Sequence, residues 1–172
     1  GALDVDRIEG RLRLLQADGR IQRLDAELVP GSEPGKAELR VRVEDRQPFH
    51  ANLFFSNNQS PSIGSLRGDL SLLNDNLTGN GDTLAFDFGA TGGLQDYDAT
   101  YQLPFTPWDT RFLADYRLSR SNSIEAPFNE LDITSKSQTY GLGFSQPLYE
   151  TVNTNVQLNL VGEMRRSRTY LL

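Results

Sequence analysis

The sequence predicts a mostly β chain in which a helix–strand–strand unit precedes about seven antiparallel strands. Three observations lead to this fold class. The first residues carry apolar side chains at helical spacing, the period changes to two after Gly19, and beyond Pro48 every further apolar segment alternates with polar residues. A change of hydrophobic period is the main sequence signal of secondary structure. We therefore divide the chain into residues 1–47 and residues 48–172.

The first unit begins with a helix predicted over residues 4–18. Its apolar residues recur at i, i+4 and i+7: Ile8, Leu12 and Leu15. Gly19 would end the helix, because glycine tolerates the left-handed conformation that follows many helices. Residues 21–29 and 37–44 then alternate as two strands, joined by the turn PGSEPGK. So few residues cannot bury a core, so we expect a further element to pack against this unit.

The second unit contains seven segments in which apolar and polar residues alternate. They run over residues 49–55, 66–72, 84–90, 97–105, 112–118, 133–144 and 152–164. Connections after the second, fourth and sixth segments are compact, whereas those after the first, third and fifth are polar and more variable. Outer-membrane barrels have short periplasmic turns and longer outer loops. The helix–strand–strand unit precedes an odd segment, so it would lie on the side of the compact turns, the periplasm.

The apolar face of these segments could meet either lipid or a protein core. A soluble sandwich or solenoid with one wet face shows the same alternation. Three observations favour lipid: the polar face is charged through the strand centres, the segments are longer than the roughly 5–6 residues of soluble strands, and aromatic residues gather near the compact turns. The aromatic residues are Phe105, Trp108, Phe112 and Tyr149. Because lipid cannot satisfy an open sheet edge, we expect these strands to be part of a larger barrel.

Composition excludes several classes of function. A net charge of −6 and a pI near 4.8 argue against nucleic acid as a partner. The sequence has no cysteine, so it offers neither a disulfide framework nor a thiolate metal site. His50 is the only histidine, which gives little support to a Ser–His–Asp triad or a multi-histidine metal site. We therefore expect no enzyme activity, no cofactor and no metal.

Several motifs resemble a known family. The helix, the hairpin LVPGSEPGKAEL and the exit strand VRVEDRQPF resemble the C-terminal part of a POTRA (polypeptide-transport-associated) domain. The following NLFFSNNQSPSIGSLRGDLSLLNDNLTGNGDTLAFDF is similar to the first barrel strands of the hemolysin secretion/activation transporters, the outer-membrane partners in two-partner secretion. Shared features are the SN that ends the first barrel strand, the GNGD turn and the Y…LPF strand end. The hairpin that leads directly into the barrel favours this family over the related barrel-assembly insertase.

The resemblance implies a fold and a function. It implies a partial POTRA domain over residues 1–47 and, from residue 48, the first strands of a transmembrane barrel of about sixteen strands. The whole protein would be monomeric in the bacterial outer membrane, with its N-terminal part in the periplasm, and would export a large β-helical secreted client without ATP. Outer-membrane lipid would be its other partner. A barrel-assembly protein and a soluble β-rich binding module remain alternatives.

The resemblance also implies site residues. In POTRA domains the strand after the helix is an edge strand, to which an extended client can add as a further strand. The residues that this assigns to client binding are Gln22, Arg23, Leu24 and Asp25 in the strand, with Leu12, Leu15 and Ile21 as a groove wall; the alternative is that these last three only form core. Charged residues of the polar face would keep the pore wet: Arg67, Asp69, Asp87, Asp98, Asp115 and Arg117. The alternative is that they solvate a channel without a specific role.

Overall fold

A computed structural model describes residues 5–16, 21–32, 36–126, 133–151 and 153–170. The elements are α1 (Val5–Gln16), β1 (Ile21–Pro30), β2 (Ala37–Asp45), β3 (Phe49–Ser56), a 3₁₀ helix (Pro61–Ile63), β4 (Arg67–Asn74), β5 (Thr83–Ala90), β6 (Leu94–Pro104), β7 (Arg111–Asn122), β8 (Thr134–Glu150) and β9 (Asn155–Tyr170). The chain forms two compact units, residues 1–47 with 148–156 and residues 48–147 with 157–172. The predicted mostly β fold, with one helix before a series of antiparallel strands, is confirmed.

The first unit consists of α1 packed on an antiparallel β1–β2 hairpin. The register pairs Leu24 with Val43 and Leu28 with Leu39, so the alternation brings the apolar residues of both strands to one face. Among the described residues, Leu24 is the one apolar side chain that is buried, whereas Val43 is 47% exposed. The apolar face of this hairpin is therefore only partly covered. The predicted helix end at Gly19 lies outside the described residues.

The second unit is one sheet in which each of the seven strands from β3 to β9 pairs with the next. The antiparallel register keeps apolar residues on one face, which we call the outward face; Leu70 of β4, for example, lies between Leu53 of β3 and Phe88 of β5. Residues of the opposite parity form the polar face. Because side chains alternate strictly along a strand, the register of each pair assigns every residue to one of these two faces.

The last two strands are longer than the sequence predicts. β8 has 17 residues and β9 has 16, because most of the predicted turn QPLYET continues β8. The turn itself is tighter, and the Thr151 N–H donates to the Thr154 carbonyl at 2.8 Å. The last strand accordingly begins at Asn155 rather than at Val152 and continues to Tyr170. The predicted asymmetry of connection lengths is also wrong at one place, since only residues 91–93 join β5 to β6.

The connections that follow β3, β5 and β7 meet at one end of the sheet. The Gly93 N–H donates to the Ile63 carbonyl at 2.7 Å, and the Ile124 N–H donates to the Ser62 carbonyl at 2.9 Å. A Cβ added to Gly64, whose φ is 95°, would meet the backbone of the β5–β6 connection. Backbone contacts therefore hold the three connections together.

Exposure in this sheet is the reverse of that in a soluble protein. Leu142 and Leu160 on the outward face are 61% and 72% exposed, whereas Thr139 and Ser145 on the polar face are 4% and 2% exposed. Soluble proteins bury large aliphatic side chains and expose most threonines and serines. A membrane barrel strand requires apolar residues outside and polar residues inside. In the described ranges, no helix is both long and apolar enough to cross a bilayer.

Two neighbouring residues of β9 test which face meets lipid. In the full-length protein, we expect Leu160→Arg to destabilise the fold by about 2–4 kcal/mol, the cost of an arginine on the lipid face near the bilayer midplane. Asn159→Arg introduces the same group on the polar face and should cost much less. Urea unfolding in lipid vesicles, followed by tryptophan fluorescence, measures both. Equal costs for the two variants would contradict the lipid-facing assignment.

Candidate functional site

The polar face carries a first ion-pair cluster centred on Arg67 of β4. Its Nε–H donates to Asp69 Oδ1 at 2.7 Å, and its Nη1 donates to Asp96 Oδ2 of β6 at 3.1 Å. The guanidinium therefore bridges β4 and β6 over the strand between them. Gly89 of β5 pairs with both Asp69 and Asp96, and a Cβ there would overlap the guanidinium. Glycine at this position leaves room for the guanidinium, and a larger residue would force the Arg67 side chain to move.

A second cluster centres on Arg117 of β7. Its Nη2 lies 2.7 Å from Glu163 Oε1 of β9 and 3.4 Å from Asp115 Oδ2, and its Nε lies 3.7 Å from Asp98 Oδ2 of β6. Gly141 of β8 pairs with Asp115, and a Cβ at this position would overlap the aspartate carboxylate. The same arrangement recurs: a glycine in the middle strand makes room for charges that join its neighbours.

Further polar groups continue this face, both between the two clusters and on β8 and β9. Asp87 of β5 accepts a hydrogen bond from the Ser71 hydroxyl and lies directly opposite Asp98 in the register. Arg165 of β9 donates to Thr139 Oγ1 at 3.3 Å. The face thus has more carboxylates than arginines. Because the Arg117 and Glu163 side chains are about half exposed, each such ion pair contributes little stability; together they form a wall of fixed charges.

The structure brings all six predicted lumen residues to this polar face. They are Arg67, Asp69, Asp87, Asp98, Asp115 and Arg117. That the face lines a lumen stays a prediction. Sequence reasoning missed Asp96, Glu163 and Arg165, which complete the ion pairs and hydrogen bonds. Asp96 precedes the predicted start of its strand by one residue and Arg165 follows the predicted end of its strand by one residue, so a one-residue extension of the alternation would have found both; Glu163 lies within its predicted strand.

The predicted client-binding residues lie on α1 and β1, but only some of them share a groove. Leu12 of α1 lines the same groove as Leu24 and Asp25 of β1. Leu15 is 47% exposed and, like Ile21, does not line that groove. Two others, Gln22 and Arg23, lie on the strand itself, where the Arg23 Nε is 3.0 Å from Asp25 Oδ2. In the described part of the chain, β1 pairs with β2 on one side only, so its other edge has no strand partner.

The connection between β4 and β5 contains the GNGD motif and is built around Asp82. This side chain is fully buried and accepts hydrogen bonds from the Thr78 N–H, the Thr78 hydroxyl and the Tyr101 hydroxyl, each at 2.9 Å. Burial acts to raise the pKa of Asp82, but these hydrogen bonds outweigh it and the pKa is lowered. Gly79 and Gly81 have φ values of 86° and 73°, which glycine adopts most readily. The motif therefore encodes a closed turn tied to β6.

The lowered pKa of Asp82 predicts a pH dependence of stability. Its contribution is fully present above the ordinary pKa of 3.8 and is lost as pH falls through the lower folded-state value. We expect Asp82→Asn to lower the unfolding midpoint of the full-length protein at neutral pH. The difference from the wild type should stay constant down to about pH 4 and shrink below it. Melting curves across this range measure it, and a pH-independent difference would contradict the role of the charge.

Two glycines offer a matched test of the charged wall. Gly89→Ala should destabilise the full-length protein by about 1–3 kcal/mol, because the new methyl group displaces the Arg67 guanidinium. Gly162→Ala makes the same change on β9, where the nearest atom to an added Cβ is 3.9 Å away, and should cost less than about 0.5 kcal/mol. Chemical unfolding in micelles compares the two. If Gly89→Ala proved as mild as Gly162→Ala, the wall would not need the glycine.

Comparison with known proteins agrees with this architecture. The family described as haemolysin secretion/activation protein ShlB/FhaC/HecB matches residues 35–172. The outer membrane transporter CdiB of Dickeya dadantii (strain 3937) is 25% identical over 158 residues, which are 87% of this chain and 28% of that protein. The chain therefore spans less than a third of the length of this relative.

Solved structures show the same fold. CdiB from Escherichia coli matches with a TM-score of 0.74 and 20% identity, over 98% of this chain and 32% of that one. BamA from Haemophilus ducreyi lacking POTRA domains 1–3 matches with a TM-score of 0.66 and 14% identity, over 96% and 30%. At these identities the likeness concerns the fold: a partial POTRA domain followed by barrel strands. Since the family match covers most of the sequence, the chain belongs to the ShlB/FhaC/HecB family of haemolysin secretion/activation proteins, a family of transporters of the bacterial outer membrane.

Proposed function

We propose that residues 48–172 form part of the wall of a pore that exports a large secreted β-helical partner protein, as in two-partner secretion. The observation that carries this proposal is the sheet with its apolar face exposed and a continuous wall of paired charges on the other face. Such a wall suits a water-filled passage through a membrane. The family match supports an outer-membrane transporter, and the charged face suggests that the cargo passes as an unfolded chain.

The paired charges suit the passage of an unfolded chain. Arg67 and Arg117 are each held by carboxylates on two or more strands, so neither is free to clamp an acidic segment of the client. An extended polypeptide that passes such a face meets few apolar side chains to which it can adhere. The glycines at positions 89 and 141 leave space on the polar face, since no side chain rises from them.

Client capture is assigned to residues 1–47, which would lie in the periplasm. In the described part of the chain, the edge of β1 away from β2 has no strand partner, so an extended client can add there through backbone hydrogen bonds. Exposed side chains along β1, such as Arg23 and Asp25, would then determine which client sequences bind. Leu24, in contrast, is buried and acts as core of the hairpin unit.

A barrel-assembly function is the second candidate. The likeness to BamA from Haemophilus ducreyi favours it, because the fold of the described strands is common to both proteins. The two functions differ in their cargo: a transporter moves one partner across the membrane, whereas an assembly protein inserts many barrels into it. The soluble binding module has no support, because the family is one of the outer membrane.

Deletion of the gene for the full-length protein separates the two candidates. We expect one large protein to disappear from the culture medium, while outer-membrane barrels keep their abundance; quantitative mass spectrometry of both fractions measures this. A general decline of outer-membrane barrels would favour assembly and contradict export.

Complementation of this deletion strain tests capture by β1 with the same readout. Asp25→Pro removes a backbone N–H and blocks strand addition, and should lower export about tenfold, as expected for the loss of one or two backbone hydrogen bonds. Asp25→Ala keeps the backbone and is the matched control, with export close to the wild type. Immunoblots check that both variants reach the outer membrane in equal amounts. Normal export by the Asp25→Pro variant would refute client capture at this edge and would leave the proposal for the pore unaffected.

A further inference from the structure

A group of basic residues lies at one end of the outward face. On β7 the outward residues run from Phe112 to Leu118 and are followed by Arg120. The register pairs Leu118 with Gln138 and Arg120 with Lys136, so Lys136 of β8 lies beside Arg120 on the same face. Arg120 lies beyond the last apolar outward residue of β7, and Lys136 lies beyond the last apolar outward residue of β8.

β9 adds two arginines to this group. On the polar face, the Ser135 and Thr169 hydroxyls are 3.1 Å apart and Arg165 donates to Thr139. These contacts fix the register of β8 against β9. Arg166 and Arg168 have the opposite parity, so they lie on the outward face beside the β8 residues already placed there. We call the four residues the basic rim: Arg120, Lys136, Arg166 and Arg168.

The basic rim has no counter-charge among the described residues. Three of its side chains, those of the arginines, are exposed, and Lys136 is partly exposed. No ion pair or hydrogen bond joins any of the four side chains to another described residue. Arg67 and Arg117 on the polar face, in contrast, are each held by carboxylates. The outward neighbours Ala90, Gln95 and Gln138 carry no charge. Four positive charges therefore remain without a described counter-charge, directly beside an apolar band.

The position of the basic rim indicates its partner. The apolar outward residues of β9 run from Val156 to Met164, which is close to the roughly 9–11 residues with which a tilted strand crosses the hydrocarbon. Arg166 and Arg168 then lie at the level of lipid headgroups. This end is opposite the β8–β9 turn, so in the orientation of the proposed function, on which this step rests, it faces the outer leaflet. Guanidinium groups bind phosphate oxygens in a bidentate manner.

We propose that the basic rim binds the phosphate groups of the anionic glycolipid that forms the outer leaflet of the outer membrane. The lipid phosphates supply the missing counter-charges, and the acyl chains lie along the apolar band below them. Each arginine at a membrane surface strengthens binding of anionic lipid about fivefold, the equivalent of about 1 kcal/mol. The site thereby fixes how deep strands β7 to β9 lie in the bilayer.

Lipid titration of the full-length protein in neutral-lipid vesicles tests the proposal. The probes are bisphosphorylated lipid A, dephosphorylated lipid A, phosphatidylglycerol and inorganic phosphate. Relative to the wild type, Arg166→Gln/Arg168→Gln should bind bisphosphorylated lipid A about thirtyfold more weakly. Arg40→Gln/Arg42→Gln removes the same charge from β2 and is the matched control, with unchanged binding. The heat-induced shift of the folded barrel on gels confirms that each variant is folded.

Several results would overturn the proposal. They are unchanged binding by the Arg166→Gln/Arg168→Gln variant, equal binding of dephosphorylated lipid A, equal binding of phosphatidylglycerol, or displacement of lipid A by equimolar inorganic phosphate. The orientation has its own test. Asn58→Cys in the β3–β4 connection should react with an impermeant maleimide on intact cells, and Asn80→Cys in the β4–β5 turn only after permeabilisation. The reverse labelling would overturn the outer-leaflet assignment. The export assay of the proposed function uses no lipid probe, so a failure of the lipid proposal can be distinguished from a failure of the export function.

Discussion

The structure of the second unit depends on the requirement that backbone hydrogen-bonding groups be paired where water is absent. A bilayer offers no partner to a free N–H or C=O, so strands that cross it must pair along their length with a neighbour. β4 to β8 each have a neighbour on both sides, and every connection between them reverses the chain direction. Once this ladder exists, alternation assigns every side chain of the sheet either to the apolar outward face or to the polar face.

The wet face then has a packing problem that its glycines solve. Ion pairs that join strands two apart must pass over the strand between them, and a side chain there would occupy the same space. Gly89 and Gly141 are placed at these crossings. The glycines weaken the strands locally, because their chain loses more entropy on ordering. The polar face gains charges whose positions are fixed by several strands, which suits the passage of an unfolded chain in the proposed function.

The sequence predicted the strands and their faces better than it predicted the contacts between them. Alternation assigned Asp98 and Arg117 to the same face without any knowledge of the fold, because parity is a local property. Alternation also places Glu163 on the polar face, but its pairing with Arg117 could not be predicted, because it crosses β8, where the register depends on the 151–154 turn. That turn was misplaced by several residues, since Leu148 and Tyr149 resemble turn-flanking residues and yet continue β8. The groove of the first unit was predicted only in part, because Leu15 is 47% exposed and does not line the groove with Leu24.

In the proposed orientation, the interlocked connections at one end of the sheet lie at the outer surface of the cell. Their shape is set by main-chain hydrogen bonds, as between Gly93 and Ile63, by the close approach at Gly64, and by the Thr91 hydroxyl, which donates to the Ile63 carbonyl. Exposed residues on the β3–β4 connection, such as Asn57 and Asn58, take no part in this backbone framework. A surface of this kind can change the residues that antibodies and phages meet while keeping its architecture.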